Sequence, residues 1–403
     1  MRGIRLRLIL LAPLVLLGCD PPSPRMPLTE RIDSAGLEIV ISSEPTTSWL
    51  RIAPTPDLRI GGADAHGAAQ FGAVQGVAVA SDGSIWVADR QTADVRVFEA
   101  DGTHRVTVGG RGDGPGEFRV VRLLGQAGDS MAVVDDRTGR LSWFDLGGVL
   151  LTESLIHRRG SSAPVVYGVG SDGRLAGAIQ RLVSADTMDP GTVFEGEIDF
   201  VGWKHPESPP RTIATVPTSS WLFTGTSQIP IPFTTNASLA VARHWVVTRG
   251  VRPELLHLSD DGGRRITRVR RAPRPVGADM RQAYEAFVRS VYPEDRRQPF
   301  LEALHHPAVP DTAPAYTRLL VDTAGRVWAQ HFTADRRSLG DWDVFDPDGS
   351  LTAVVANPPG VWLHAITDRA AVGVWLDALD VPRVQRHAIV PPRASRSPAP
   401  IPP

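Results

Sequence analysis

Residues 71–118 read FGAVQGVAVASDGSIWVADRQTADVRVFEADGTHRVTVGGRGDGPGEF. The runs IWVAD, VRVF and HRVTV within this stretch are short, rich in β-branched residues and separated by turns that contain Asp and Gly. VRVF alternates apolar and polar residues, which is typical of a strand that buries one face. Glycine accepts a positive φ and aspartate bonds to nearby backbone, so both suit tight turns between antiparallel strands. The stretch therefore predicts a small antiparallel sheet.

The same pattern recurs along the chain. Equivalent second-strand positions are separated by 46, 44, 69, 83 and 44 residues, and these positions are Ile85, Met131, Leu175, His244, Val327 and Ala371. Three of these spacings match the period of about 40–50 residues of a four-stranded propeller blade, and the other two require insertions. Packing such sheets in a ring covers both faces of each sheet and leaves only short edges. The sequence therefore predicts an all-β fold, a six-bladed β-propeller.

The two ends of the chain are predicted to close the ring. Residues 60–74 (IGGADAHGAAQFGAV) parallel residues 108–121 (VGGRGDGPGEFRVV), since both run from a strand through Gly-Gly and Phe to the first strand of the next blade. The strand at 58–61 (LRIG) should therefore complete the last blade, whose other strands lie at about 361–390. Residues 37–42 (LEIVIS) are expected to join that blade or to pack beside it.

Residues 71–118 resemble the NHL-type repeats of six-bladed β-propellers, and the chain is similar to a family of bacterial propeller lipoproteins. RIDSAGLEIVISSEP at 31–45 also fits the N-terminal segment of that family. The likeness is specific over 71–160, recognisable at 316–357 and weak at 160–270. Because the activity of this family is largely undetermined, the resemblance implies the fold and not a function.

The N-terminus has the pattern of a secretory signal. Arginines precede an apolar stretch from Leu6 to Leu17, and Gly18 stands before Cys19, the only cysteine of the chain. The ending LLGC resembles the lipobox of bacterial lipoproteins, which implies that Cys19 is acylated and that membrane lipid is a partner. The other interpretation is an ordinary secreted protein whose cysteine stands there by chance. Two or more acyl chains would anchor the protein stably.

These signals divide the chain into four parts. Residues 1–18 are predicted to be a lipoprotein signal peptide, 19–36 a tether, 37–390 the propeller and 391–403 a Pro-rich disordered tail. The predicted location is the cell envelope, on the extracytoplasmic side of the inner or the outer membrane.

The two long spacings correspond to two insertions. The first, at about 277–306, is predicted to contain two helices. One ends at Pro293, and a shorter one follows it. The apolar residues at helical spacing in the first helix are Met280, Tyr284, Phe287 and Val291. This insertion either packs on the rim of blades 4 and 5 or acts as a lid or a docking helix. The other insertion, about 183–240, is predicted to be extended β-structure or a long loop.

Several functions lack support in the sequence. The net charge of −1 provides no basic surplus for nucleic acid. GGRGDGPGEF at 109–118 lacks the Gly-Lys-Ser/Thr end of a P-loop, and the acidic turns at 259–262 and 346–349 lack the ligand array of an EF-hand. Neither a HExxH motif nor a Gly-x-Ser-x-Gly motif occurs. The sequence therefore indicates no catalytic residue, no resident metal and no cofactor.

Five residues form the candidate ligand surface, and they are Trp86, Trp245, Trp328, His331 and His364. Each tryptophan follows an aligned second-strand position. It either packs between blades or contributes to an aromatic face that stacks a sugar or a peptide. The set of His244, His331 and His364 lies at strand ends of blades 4, 5 and 6 and is the only candidate for a channel metal.

These observations predict a binding or interaction scaffold with a protein or glycan partner rather than an enzyme. The alternative is a hydrolase or lyase, similar to lactonases or an amidating lyase, with a metal in the central channel. The sequence identifies neither the ligand nor the biological process.

Overall fold

The computed structural model describes residues 28–45, 48, 50–157, 164–181, 188–234, 237–248, 250–335 and 338–390. The predictions for the signal peptide, for Cys19 and for the tail concern residues outside these ranges. Across the described ranges, no helix is both long enough and apolar enough to span a bilayer.

Four short strands precede the first complete blade, and they are β1 (Thr29–Ser34), β2 (Leu37–Ser42), β3 (Arg51–Ile52) and β4 (Leu58–Gly61). A single 3-10 turn at Gly67–Ala69 follows them. Blade 1 consists of β5 (Val74–Val79), β6 (Ile85–Asp89), β7 (Asp94–Phe98) and β8 (His104–Gly109). Blade 2 consists of β9 (Val121–Ala127), β10 (Ser130–Asp135), β11 (Arg140–Asp145) and β12 (Leu150–Leu155).

Blade 3 has two long strands and an additional short one. It consists of β13 (Val165–Val169), β14 (Leu175–Arg181), β15 (Val193–Trp203), β16 (Arg211–Phe223) and β17 (Gln228–Pro230). Blade 4 contains β18 (Leu239–Val241), β19 (Trp245–Thr248), β20 (Glu254–Leu258) and β21 (Arg264–Val269). Two helices follow, α1 (Ala278–Val291) and α2 (Glu294–His305).

Blade 5 contains β22 (Tyr316–Val321), β23 (Val327–His331), β24 (Trp342–Phe345) and β25 (Leu351–Val355). Blade 6 contains β26 (Val361–Ile366), β27 (Ala370–Leu376) and β28 (Pro382–Val390). The first strand of each blade contacts the first strands of both neighbouring blades, in the order β5, β9, β13, β18, β22, β26 and back to β5. The six blades therefore form a closed ring, and their first strands line its central channel. This confirms the predicted all-β propeller.

The predicted closure is also present. β4 pairs antiparallel with β28, with Ile60 opposite Val384, and β3 pairs with the end of the same strand. The two Gly-Gly segments are equivalent because Gly61 and Gly109 both have a positive φ and both lie beneath a phenylalanine ring. A Cβ atom on Gly61 would lie 2.7 Å from Phe71, and one on Gly109 would lie 2.5 Å from Phe118.

The prediction for residues 37–42 is wrong. β2 joins blade 4 instead of blade 6 and runs parallel to β21, with Ile39 opposite Ile266. Side chains explain the choice, since Glu38 pairs with Arg265 at 2.6 Å and the Oγ atom of Ser42 accepts a hydrogen bond from the backbone N–H of Leu351. Residues 29–34, which were assigned to the tether, form β1 on the outer side of β2.

Both insertions contribute to one structure at one end of the channel. We call it the cap, defined as residues 219–234 together with α1 and α2. Its core joins the end of blade 3 to the helices and to blade 5, and it includes Leu222, Ile231, Phe233, Met280, Leu304 and Phe332. The predicted helices are present, but their buried face differs slightly from the expectation. Val288 is buried, whereas Val291 is 44% exposed.

Candidate ligand-binding site

The three predicted tryptophans do not form a ligand surface. The exposed fractions of Trp86, Trp245 and Trp328 are 0%, 2% and 0%. Trp86 packs between blades 1 and 2, Trp245 between blades 3 and 4, and Trp328 between blades 5 and 6. Their indole N–H groups donate to Ser84, Asp260 and Asp322, so their polar atoms are satisfied within the protein. At these three positions the indole rings are buried between blades and cannot stack on a ligand. Of the two predicted roles, packing between blades is therefore the correct one.

His331 belongs to a buried network on blade 5. Its Nε2 atom lies 2.8 Å from Oδ1 of Asp343, which is fully buried. Arg271 donates to both oxygens of Asp343 at 2.9 and 3.0 Å, and the hydroxyl of Tyr316 donates at 2.5 Å. Burial would raise the pKa of Asp343, but its contacts with His331 and Arg271 outweigh burial and lower the pKa. Nε2 of His331 also lies 3.2 Å from Nη1 of Arg271, so the imidazole is held between the carboxylate and the guanidinium.

The three histidines proposed for a metal do not meet. His244 immediately precedes β19, and its Nε2 atom lies 2.7 Å from Nδ1 of His257 on β20, whereas His331 is paired with Asp343. His364 lies on β26, and burial together with the charge of Arg318 lowers its pKa to about 3. No group of three or more His, Cys, Asp or Glu side chains within the described parts of the chain is arranged to hold a metal ion.

A cavity of about 310 Å³ lies between the cap and the ring. The cap supplies apolar and aromatic walls, and the first strands of blades 5 and 6 supply the opposite wall. Residues that define it are Phe233, Tyr284, Thr317, Arg318, Gln330 and Trp362. Ligand sites in proteins usually measure about 300–1,000 Å³ and combine apolar walls with a few polar groups. This cavity has both properties.

Arg318 is the charged group of the cavity. Its guanidinium lies over two indole rings, 4.8 Å from the centre of Trp362 and 5.5 Å from that of Trp342. Its Nε and Nη2 atoms are buried, and neither has a hydrogen-bond partner in the structure. Burial lowers the pKa of Arg318 to about 9, so the residue is still cationic at neutral pH. The remainder of the residue is only partly buried, and Trp362 is 43% exposed.

A larger groove of about 750 Å³ lies outside the ring between blades 3 and 4. It is bounded by β16 and by β19–β21, and its lining includes the charged residues Arg211 and Glu254. Glu254 already binds Arg268, with its Oε2 atom accepting at 2.8 and 3.0 Å. The smaller cavity is the stronger candidate because it contains a buried charged group without a partner.

Known proteins that are similar to this chain are also β-propellers. Residues 69–156 match the DUF5128 family, which is described as a 6-bladed beta-propeller. The chain is a six-bladed β-propeller. A member of the DUF4221 family from Bacteroides vulgatus has 10% identity and a TM-score of 0.50, over 85% of this chain and 98% of its own.

Two further solved structures have lower TM-scores. A Bacteroides fragilis protein whose description proposes export has 10% identity and a TM-score of 0.47, over 88% of this chain and 100% of its own. Virginiamycin B lyase from Staphylococcus aureus has 9% identity and a TM-score of 0.39, over 83% of this chain and 99% of its own. No curated protein matches the chain. The similarities therefore concern the propeller fold alone.

Sequence reasoning missed Arg318 and Trp362. Arg318 on blade 5 pairs with Gln330, and the equivalent pair on blade 1 is Gly76 with Ala88. A long cation at a first-strand position is therefore the signal that could have been found. That it lacks a partner depends on the neighbouring blade, which the local sequence does not show.

Proposed function

We propose that this protein is a lipid-anchored, extracytoplasmic binding protein whose propeller holds a small ligand in the cavity beneath the cap. The observation that carries the proposal is the cavity, which joins aromatic walls to a guanidinium whose buried Nε and Nη2 atoms have no hydrogen-bond partner. Binding sites are usually preformed hollows of this composition. The closed ring keeps the walls of the cavity in place, because the first strand of each blade contacts the first strands of both neighbouring blades.

The lipid anchor rests on Cys19 and its surrounding pattern. Leu28 is nine positions after Cys19, and an extended segment of nine residues spans at most about 30 Å. The anchor would therefore keep β1, at the outer edge of blade 4, close to the bilayer. The cap and its cavity would remain available to a ligand or to a protein or glycan partner in the adjacent compartment.

The anchor is tested in cells that process bacterial lipoproteins. The wild-type protein should incorporate radiolabelled palmitate and sediment with membranes, and Cys19→Ala should do neither. Cys19→Ser is a second variant, since it keeps a small polar residue but offers no thiol. An unlabelled wild-type protein would contradict the anchor and leave the cavity proposal intact.

The cavity is tested by filling it. Thr317 lines the cavity, so Thr317→Trp should abolish binding of any small molecule that the wild-type protein retains in native mass spectrometry. Thr152 is exposed on β12, and Thr152→Trp is the matched control. Equal retention by both variants would show that the ligand binds elsewhere.

The alternative of a hydrolase or lyase with a channel metal can be tested on the same purified protein. Elemental analysis that finds stoichiometric Zn²⁺ or Ca²⁺, lost in His331→Ala or His364→Ala, would favour the enzyme over the binding protein.

A further inference from the structure

We propose that the ligand carries an oxyanion, a carboxylate or a phosphate monoester, on a planar apolar body, with Arg318 binding the anion and Trp362 stacking the body. This inference rests on the proposed function, because it specifies the chemistry of the ligand in the same cavity.

Other arginines of this chain bind a carboxylate through the same two atoms, Nε and Nη2, that have no partner in Arg318. Arg268 grips Glu254 through Nε and Nη2 at 3.0 and 2.8 Å, and Arg289 grips Glu285 through the same two atoms at 3.0 and 2.6 Å. This edge of the guanidinium presents two parallel N–H groups that match a carboxylate or a phosphate. In Arg318 the same edge is unoccupied.

An unpartnered buried cation is expensive for a protein to keep. Each buried donor without an acceptor destabilises the folded state, and burying a charge adds to that cost. The described residues place no carboxylate within ion-pair distance of Arg318. The two indoles satisfy only the faces of the guanidinium and leave its edge unsatisfied. An oxyanion from outside the protein would supply the missing acceptors.

The surroundings select for negative charge. His364, the neighbouring titratable group on blade 6, is neutral at physiological pH because its pKa is lowered to about 3. The site therefore holds one uncompensated positive charge in a partly dehydrated cavity, where its attraction for an anion is stronger than in water. An ammonium ligand would be repelled for the same reason.

Access requires a small rearrangement. Nε and Nη2 of Arg318 are buried in this structure, whereas Trp362 on one side of the stack is 43% exposed. A shift of the Trp362 indole, or a turn of the guanidinium toward the cavity, would bring the donors to the ligand. The indole would then cover the planar part of the ligand, as aromatic rings commonly do at binding sites.

Calorimetric titration with four small probes tests the inference: phenylacetate, phenyl phosphate, neutral phenylacetamide and cationic benzylamine. At least one anionic probe should bind the wild-type protein about tenfold or more tightly than phenylacetamide, a difference typical of one charge-assisted pair. Benzylamine should not bind. The stronger of the two anions distinguishes a carboxylate ligand from a phosphate ligand.

Variants assign the effect to named residues. Arg318→Gln should remove the preference for the anion, and Trp362→Ala should weaken the anion and the amide to a similar extent. Arg174 also lies over a tryptophan, 5.3 Å from the ring of Trp245, but it pairs with Asp172 and Asp260 outside the cavity. Arg174→Gln is therefore the matched control and should bind as the wild type does. Arg318→Lys, which keeps the charge without the fork, covers the case in which Arg318→Gln does not fold.

The outcomes separate the two proposals. Equal binding of phenylacetamide and of the anions, or the tightest binding by benzylamine, would overturn the oxyanion inference and leave a ligand cavity in place. Failure of all four probes to bind would overturn the cavity proposal itself. Anion binding that Arg318→Gln does not change, while Arg174→Gln abolishes it, would place the anion outside the cavity.

Discussion

Replacing Arg318 with methionine should make the protein more stable. In the structure the guanidinium leaves two buried donors, Nε and Nη2, without acceptors. Each such donor costs about 1–3 kcal/mol. The two ring contacts with Trp342 and Trp362 offset part of this, by about 0.5–2 kcal/mol. Methionine is flexible and apolar, and it can pack against both indoles.

The expected change in the free energy of unfolding is a gain of about 1–3 kcal/mol, within the range measured when buried charges are replaced by apolar residues. Urea unfolding at pH 7, followed by tryptophan fluorescence and by circular dichroism, measures it. The midpoint should rise and the slope should stay the same, because the surface exposed on unfolding is unchanged.

Arg174→Met is the matched control, and its effect should have the opposite sign. Arg174 lies over Trp245, but it pairs with Asp172 at 2.6 Å and with Asp260 at 2.7 Å. Its removal should lower stability by about 0.5–1 kcal/mol, since both carboxylates lose a partner but are about half exposed, so that water screens both pairs. If Arg318→Met instead lowers the free energy of unfolding by more than about 1 kcal/mol, Arg318 is a structural residue and the cavity holds no anion site. A gain in stability with loss of binding is the pattern expected of a functional residue.

Two further predictions concern the ring. Asp343→Asn should lose about 3 kcal/mol at pH 7 in urea unfolding, because the buried carboxylate is removed and the partly buried Arg271 loses the charge of its partner. The folded state lowers the pKa of Asp343, so this contribution is present above the unfolded value of about 3.9 and is lost as the pH falls through the folded value. A deficit that is constant from pH 7 to about pH 3 would contradict the assignment. Gly61→Ala should cost at least about 1 kcal/mol more than Gly36→Ala, since both have a positive φ but only the first places a Cβ atom 2.7 Å from Phe71. Equal losses of stability in the two variants would show that Phe71 can move to accommodate a Cβ atom at residue 61.

Most of the ring could be predicted because each blade repeats a local pattern. The second strands begin at Ile85, Ser130, Leu175, Trp245, Val327 and Ala370, within one residue of the aligned positions. The closing strand could be predicted because Gly-Gly followed by Phe repeats the order found at the end of blade 1, and this order reflects a contact between the phenylalanine ring and the glycine backbone. Residues 37–42 have no such repeated partner. Their place beside blade 4 depends on Arg265 and on the backbone of Leu351, which lie far away in sequence.

The residues of the candidate site also differ in how far the sequence could predict their roles. His331 is predicted as part of a ligand surface because it is a polar residue at a strand end, whereas the structure shows that Asp343 holds it within a network on blade 5. The tryptophans follow the repeat, which is why they are core residues and not a ligand surface.

The sequence by itself determined the number of blades, the way in which the ring closes and the existence of two helices, because short-range periodicity and turn residues set these features. The tertiary structure alone decided that two insertions meet over one end of the channel and that Arg318 lacks an acceptor there. Whether a charge is satisfied depends on every atom within a few ångströms of it, and those atoms come from blades and helices that are distant along the chain.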